Sequence, residues 1–82
     1  MFNKVVFNKE LLNIISKAKD RGEEYIEVSS RDLHIKVGGY PGPSHNMPSC
    51  CAVMYEHMKD KDEILKAPKK GKGASLIIRY YL

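Results

Sequence analysis

The chain of 82 residues contains no tryptophan, and its only two cysteines are neighbours. Adjacent cysteines close a strained ring when they are bridged, so Cys50 and Cys51 make a poor structural disulfide. Small secreted domains that depend on disulfides carry several spaced pairs instead. We therefore expect both thiols to be reduced and the protein to be cytoplasmic.

A long apolar run is also missing, since no stretch approaches the roughly 18 residues that a membrane-spanning helix needs. The first residues, MFNKVVFNKE, are too few and too polar for a signal peptide. A chain of 82 residues with 43% hydrophobic residues is typical of one globular domain with a small core. We expect a single domain over residues 1–82 and no association with a membrane.

Acidic residues are absent from positions 64–82, which hold five of the 14 basic residues, namely Lys66, Lys69, Lys70, Lys72 and Arg79. The net charge is +4, so residues 1–63 carry −1 and the positive charge is concentrated at one end. Such a cluster is typical of an anion-binding surface, although lysines can also serve only to keep a hairpin soluble.

Helical periodicity is clearest in the first quarter of the chain. Apolar residues recur at offsets of one, three, four and seven from Leu11, on one face of a helix predicted over 9–21. Asn8 is the candidate N-cap of this helix, and Gly22 is its C-terminal stop. The preceding segment over 2–7 is interpreted as short and extended.

Capping residues and alternation predict the remaining elements, which are a strand over 23–29, helices over 30–38 and 47–59, and extended runs over 63–67 and 74–82. The second helix follows a capping box from Ser29 to Asp32. The third follows Asn46 and has Pro48 in its first turn, where a missing N–H is harmless. Between the last two runs, the lysine-rich PKKGKG is typical of a mobile hairpin tip.

The order helix, strand, helix, helix, strand, basic loop, strand resembles the winged helix-turn-helix family from about Asn8 to Leu82. The resemblance rests on this order and on the basic, glycine-rich hairpin tip. It implies an α+β fold of three packed helices, a small antiparallel sheet and a last hairpin that forms a wing. The connection from Gly38 to His45 is longer than the usual turn of three or four residues, which leaves the angle between helices 2 and 3 open. The segment RDLHIKVGGYPGPSHNMPSCC also resembles small uncharacterised bacterial and phage-type proteins, which implies no activity.

The resemblance implies that the third helix enters the major groove of DNA with the residues His45, Asn46, Ser49, Ala52, Val53 and Glu56. Asparagine and serine can bond to base edges, but this face has no arginine to read guanine, and Glu56 would repel phosphates. We expect the main contact from the wing, because lysine is a mobile point charge that suits phosphate oxygens. Further candidate phosphate contacts are Ser29, Ser30 and Arg31, at the start of the second helix, and Tyr40.

Other site chemistries are less consistent with the sequence. The segment GGYPGPSHNMP lacks the Lys-Ser/Thr of a nucleotide-binding P-loop and follows a helix, so it is interpreted as a stiff connection. A zinc site would use His45, Cys50, Cys51 and His57. Adjacent cysteines on a helix, however, point about 100° apart. Nucleophilic catalysis would need a serine or cysteine beside a histidine and an acid, and a chain of 82 residues has little room for a pocket of ordinary size. We expect no enzymatic activity, no cofactor and no metal.

Three interpretations of function stay open. The first is binding of double-stranded DNA, as a regulator or as a module beside a larger protein, with a homodimer as one form. The second is RNA binding, which the wing lysines allow equally on charge alone. The third is a protein-interaction module whose partner patch combines Ala52 and Val53 with the terminus from Tyr80 to Leu82.

Overall fold

The computed structural model describes residues 3–38, 42, 46–69 and 72–82. In chain order its elements are α1 (Lys4–Asp20), β1 (Tyr25–Ser29), α2 (Ser30–Val37), α3 (Met47–Glu56), β2 (Glu63–Lys66) and β3 (Ile77–Tyr81). The strands form one antiparallel sheet in the order β1-β3-β2, so the last strand is central. The predicted α+β class and the predicted order of elements are confirmed. Within these described ranges, no helix has the length and apolar character needed to cross a membrane.

Helix α1 begins before the position that its sequence pattern predicts. The side chain of Asn3, rather than that of Asn8, caps the helix and accepts hydrogen bonds from the N–H groups of Val5 and Val6, at 3.1 and 3.3 Å. These bonds satisfy donors that a helix start leaves without a partner. The prediction of an extended segment over 2–7 is therefore wrong from Lys4 onward.

The early start of α1 adds one turn to its buried face. Phe7 is fully buried, one turn before the buried Leu11, and both belong to the core. Leu12, which the sequence pattern placed on the buried face, is 47% exposed. The helix ends as expected, because Gly22 takes a φ of 77° and its N–H donates to the carbonyl oxygen of Lys19 at 2.9 Å.

The caps of the other two helices confirm their predicted starts. The N–H of Asp32 donates to the hydroxyl of Ser29 at 3.0 Å, and the N–H of Ser49 donates to the side chain of Asn46 at 3.4 Å. Helix α3 ends at Glu56, three residues earlier than predicted. The shorter α3 turns the chain into β2 through the segment over 57–62.

The helices cover one face of the sheet. Val28, Ile78 and Tyr80 point to that face and are buried, whereas Tyr25 is exposed on the other. The predicted alternation in β1 is thus confirmed. Val28 and Ile64 both pair with Ile78, and the β2–β3 register shifts between Ile64 and Lys66.

The core joins all three helices to the central strand, and its buried cluster is Phe7, Leu11, Val28, Leu33, Met47, Cys50, Cys51, Val53, Met54, Leu76, Ile78 and Tyr80. The hydroxyl of Tyr80 donates to the carbonyl oxygen of Met54 at 2.7 Å, which satisfies the phenol inside the core. The predicted partner patch is wrong for Val53 and Tyr80, since both are buried.

Candidate nucleic-acid interface

The loop between β2 and β3, residues 67–76, is fixed to the helices at Gly73. The carbonyl oxygen of Gly73 accepts hydrogen bonds from the hydroxyl of Ser30 at 2.6 Å and from the thiol of Cys51 at 3.3 Å. The N–H of Ser30 donates to the carbonyl oxygen of Leu76 at 2.9 Å. The C-terminal end of the loop therefore lies against the start of α2 and the middle of α3.

The two ends of this loop also meet each other. A Cβ atom added to Gly73 would lie 3.2 Å from the Cβ atom of Pro68, closer than most contacts of this kind. Glycine at this position lets the loop close on itself. The loop is thus held at its base by backbone, thiol and hydroxyl contacts.

A groove runs between the start of α2 and the β2–β3 hairpin. We call it the α2–hairpin groove, and its lining residues are Ser29, Arg31, Asp32, Lys66, Ala74, Ser75 and Ile77. Two of the predicted phosphate contacts, Arg31 and Lys66, meet in it although they are far apart in sequence. Both are exposed. Asp32 is the one acidic residue in this lining.

Two described lysines of the loop are further candidate cations. Lys69 and Lys72 are exposed and follow Lys66 along the chain. Lys72 directly precedes the fixed Gly73. Lys70 lies outside the residues that the structure describes, as do Tyr40 and His45. The groove and the described part of the loop therefore supply exposed cations from α2, β2 and the loop between β2 and β3.

Two predicted phosphate contacts are corrected by the structure. Ser30 is fully buried, and its hydroxyl is committed to Gly73, so it is not a surface group. Arg79 donates from its guanidinium to the carboxylate of Glu27 at 2.7 and 3.0 Å and lies 3.5 Å from that of Glu63. Its partner in the hairpin register is Glu63, at the end of the hairpin away from the loop.

The environment of Arg79 explains why it does not add to the positive surface. The guanidinium lies 4.6 Å from the centre of the Tyr25 ring, on the face of the sheet that the helices leave open. With Glu27 and Glu63 it forms a network in which two carboxylates offset one cation. Charge counting along the sequence treated Arg79 as part of the basic end, but cross-strand pairing neutralises it.

The outer face of α3 is weakly suited to reading bases. Pro48, Ser49, Ala52 and Glu56 are exposed or half-buried there, and Glu56 forms an ion pair with Lys4 of α1. Val53, which the resemblance placed near DNA, is 1% exposed. The described part of this face carries no lysine or arginine, and the Asn46 side chain caps the helix.

The cysteines pack α3 against the rest of the site. The Cys50 thiol donates to the carbonyl oxygen of Ser30 at 3.4 Å, and burial, followed by the neighbouring Cys51, raises the pKa of Cys50 to about 12. His57, another candidate zinc ligand, bonds to the side chain of Asn8. Over residues 3–38, 42, 46–69 and 72–82, no group of three or more His, Cys, Asp or Glu residues is arranged to hold a metal ion.

The structure adds two groups to the site that sequence reasoning missed. In the sequence, Asp32 is recognisable only as a helix-capping residue. The sequence indicates nothing about Ser75 except that it follows the glycine-rich loop. Both enter the groove because the hairpin folds back onto α2. Such a contact between distant segments has no local pattern in the chain.

Comparison with known proteins gives no match: no family model, no curated protein and no solved structure is similar to this chain. Function is therefore inferred from the residues of the site and their geometry.

Proposed function

We propose that the chain binds double-stranded DNA through the phosphate backbone, on a winged-helix scaffold whose wing is the β2–β3 loop. The observation that carries this proposal is that Arg31 and Lys66 line one groove, formed in part by the hairpin whose loop holds Lys69 and Lys72. Within the described part of the chain, these cations have no ion-pair partner. Unpaired cations gathered on one surface favour the binding of a polyanion.

The arrangement of the cations suits phosphates better than bases. Arg31 and Lys66 are held by regular elements, whereas Lys69 and Lys72 lie in the loop between β2 and β3. A lysine on such a loop can follow the spacing of phosphates without reading a base edge. If four phosphates are neutralised, log K falls with log salt at a slope of about −3 to −4.

Asp32 limits how strongly the groove attracts phosphates. Its carboxylate lies in the lining with Arg31 and Lys66, so the groove alone carries a small net positive charge. The loop lysines supply the rest of the attraction. Binding is therefore expected to be modest at physiological salt and to depend on the loop.

An anisotropy titration of a labelled duplex at about 50 and about 200 mM salt tests the proposal. A variant with Lys66→Gln, Lys69→Gln and Lys72→Gln is expected to bind at least about tenfold more weakly at the lower salt, because three phosphate contacts are lost. The matched control removes the same charge elsewhere, with Lys9→Gln, Lys19→Gln and Lys61→Gln. Equal losses in both variants, or no binding by the wild type, would refute the proposal.

RNA binding is the second candidate, and the bland outer face of α3 favours it. The phosphate contacts described for the groove do not require a helix in the major groove, which A-form RNA hides. A competition titration separates the two. Displacement of the labelled duplex DNA by unlabelled DNA, and much less by structured RNA, supports DNA as the target. The reverse order supports RNA.

Exposed apolar side chains on α1 and β2 offer a surface for a protein partner, at a different place from the predicted patch. Val5 is 75% exposed on α1, and Ile64 and Leu65 are 46% and 42% exposed on β2. None of these residues belongs to the α2–hairpin groove. A partner bound there would leave the proposed DNA surface accessible.

A further inference from the structure

A second concave site lies on the other side of the junction between β1 and α2. We call it the α1–α2 cleft, and its lining residues are Glu10, Asn13, Ile14, Lys17, Arg21, Ile26, Glu27, Val28, Ser29, Asp32, Leu33 and Lys36. Its volume is about 250 Å³. Pockets for drug-sized ligands have about 300–1,000 Å³, so this cleft suits a smaller molecule than a nucleotide.

Part of the cleft wall is apolar. Leu33 is fully buried, Val28 is 4% exposed, and Ile14 and Ile26 are partly buried against the same core. Ile14 of α1 and Ile26 of β1 supply the accessible part of this aliphatic wall, because Val28 and Leu33 are almost or fully buried. A short branched aliphatic group would remove apolar surface from water here, at about 25 cal/mol for each Å².

Charged side chains of both signs surround this apolar wall. Arg21 and Glu27 are engaged elsewhere, since Arg21 pairs with Glu23 and Glu27 pairs with Arg79. Glu10, Lys17, Asp32 and Lys36 form no ion pair within the described ranges. The cleft thus has two acidic and two basic groups that are not neutralised by neighbouring side chains.

We propose that the α1–α2 cleft binds a small zwitterion with an aliphatic side chain, of the kind that a free branched-chain amino acid presents. Glu10 and Asp32 accept hydrogen bonds from the ammonium group, and Lys17 and Lys36 donate to the carboxylate. The aliphatic side chain packs on Ile14. The ammonium and carboxylate groups share one carbon of the ligand, so charge-assisted hydrogen bonds hold that end and the apolar contact holds the other, which gives the site its selectivity.

The cleft is joined to the proposed DNA surface by shared residues. Ser29 and Asp32 line both the α1–α2 cleft and the α2–hairpin groove. An ammonium group beside Asp32 offsets the carboxylate that opposes phosphates in the groove. The ligand therefore strengthens DNA binding, and DNA strengthens ligand binding by the same factor. This coupling rests on the proposed function, whereas occupation of the cleft does not.

A nuclear magnetic resonance titration of the full chain with L-leucine tests occupation of the cleft. Saturable shifts of the amide signals of Ile14, Ile26 and Lys36 are expected. Leucinamide, which lacks the carboxylate, and 4-methylpentanoate, which lacks the ammonium group, are expected to bind at least about fivefold more weakly because each loses one set of charge-assisted bonds.

Substitutions in the protein test the same proposal without a change of ligand. Lys17→Gln and Asp32→Asn are each expected to weaken L-leucine binding at least about fivefold. Lys19→Gln and Asp60→Asn remove the same charges outside the cleft and are expected to leave binding unchanged. The absence of saturable shifts with L-leucine, L-valine and L-methionine would overturn the proposal, as would equal affinity for leucinamide.

The coupling is measured by the anisotropy titration with and without L-leucine. An increase in DNA affinity that is lost in Asp32→Asn supports it. If L-leucine and DNA both bind but neither affects the other, the coupling is refuted. The proposal that the cleft binds the ligand is then still supported. If L-leucine binds but no DNA duplex binds, the proposed DNA-binding function is refuted. Ligand binding by the cleft is supported in that case as well.

Discussion

The buried imidazole of His34 on α2 accepts a hydrogen bond through Nε2 from the backbone N–H of Asn46, the N-cap of α3, at 2.9 Å. Its Nδ1 lies 3.2 Å from the carbonyl oxygen of Gly38. A carbonyl oxygen only accepts, so Nδ1 carries the proton and the ring is neutral. One side chain therefore joins the end of α2 to the start of α3 across their connection.

Replacement of His34 by phenylalanine is expected to lower the free energy of unfolding by about 2–4 kcal/mol, because two backbone groups lose their partner inside the protein. Urea unfolding measures the change. The control is His57→Phe, since His57 is half-buried and bonds to the exposed Asn8. Similar losses in the two variants would show that His34 does not hold the connection.

Acid is expected to weaken the fold through Asp62, whose buried side chain joins Lys59, in the segment over 57–62, to Tyr81 of β3. Burial by itself raises the pKa of this carboxyl, but hydrogen bonds from the N–H groups of Tyr81 and Lys59, and from the Lys59 ammonium, outweigh it and hold the pKa below its ordinary value. The carboxylate therefore stabilises the fold above about pH 4, the ordinary value. That contribution is lost as the pH falls through the lower folded-state pKa.

The variant Asp62→Asn isolates this contribution in urea unfolding at a series of pH values. Its deficit relative to the wild type is expected to be constant above about pH 5 and to shrink below about pH 4, where the wild-type carboxyl is protonated as well. The exposed Asp60→Asn serves as the control. A deficit that stays constant down to about pH 2 would contradict the assignment.

Arg79 and Lys66 carry equal charges and are close in sequence, yet they are expected to differ in DNA binding. Lys66→Gln removes a cation of the groove and is expected to weaken binding about threefold or more at low salt. Arg79→Gln removes a cation that Glu27 and Glu63 already offset, and a change of less than about twofold is expected. Anisotropy titrations of both variants give the comparison, and equal effects would count against the described surface.

The anchor of the β2–β3 loop is tested by Ser30→Ala. The change leaves the carbonyl oxygen of Gly73 without its hydroxyl partner and is expected to cost about 1–2 kcal/mol of stability. DNA binding is expected to weaken about twofold to threefold, because the loop is then less ordered before it binds. Ser16→Ala, at an exposed position on α1, is the control. Unchanged stability in Ser30→Ala would mean that the hydroxyl does not hold the loop.

The two cysteines are expected to be unreactive in the folded protein. Both are fully buried, and the pKa of Cys50 is raised to about 12, so little thiolate is present at neutral pH. A chromogenic disulfide reagent is expected to label them at least about a hundredfold more slowly than in the urea-unfolded chain. The exposed cysteine of Ser16→Cys provides the native-state reference. Rapid labelling of two thiols in the wild type would contradict their burial.

Much of the local structure was predictable because its causes lie within a few residues. The hydroxyl of Ser29 and the amide of Asn46 cap the helices that follow them, and Gly22 supplies the left-handed residue that ends α1. Alternation alone placed Val28 inside and Glu27 outside. These features depend on short-range hydrogen bonds and on the periods of helix and strand.

The early start of α1 was within reach of the sequence but was missed. Phe7 continues the apolar spacing of Leu11 by one turn, and Asn3 is as good a cap as Asn8. Valine favours strands, so the two valines of this stretch give a helix little local support. Packing of Phe7 into the core, edge-on to the ring of His34 at 4.8 Å, outweighs that local preference.

By itself, the sequence determined the class of the fold, the order of its elements and the basic character of its last hairpin. Tertiary structure alone decided that Val53 and Ser30 are buried, that Arg79 is neutralised across the sheet, and that Arg31 meets Lys66 in one groove. Caps and periodicity act between near neighbours along the chain. Burial and the meeting of charges depend on how distant segments pack, because each surface is hidden or exposed only by the segment that folds against it.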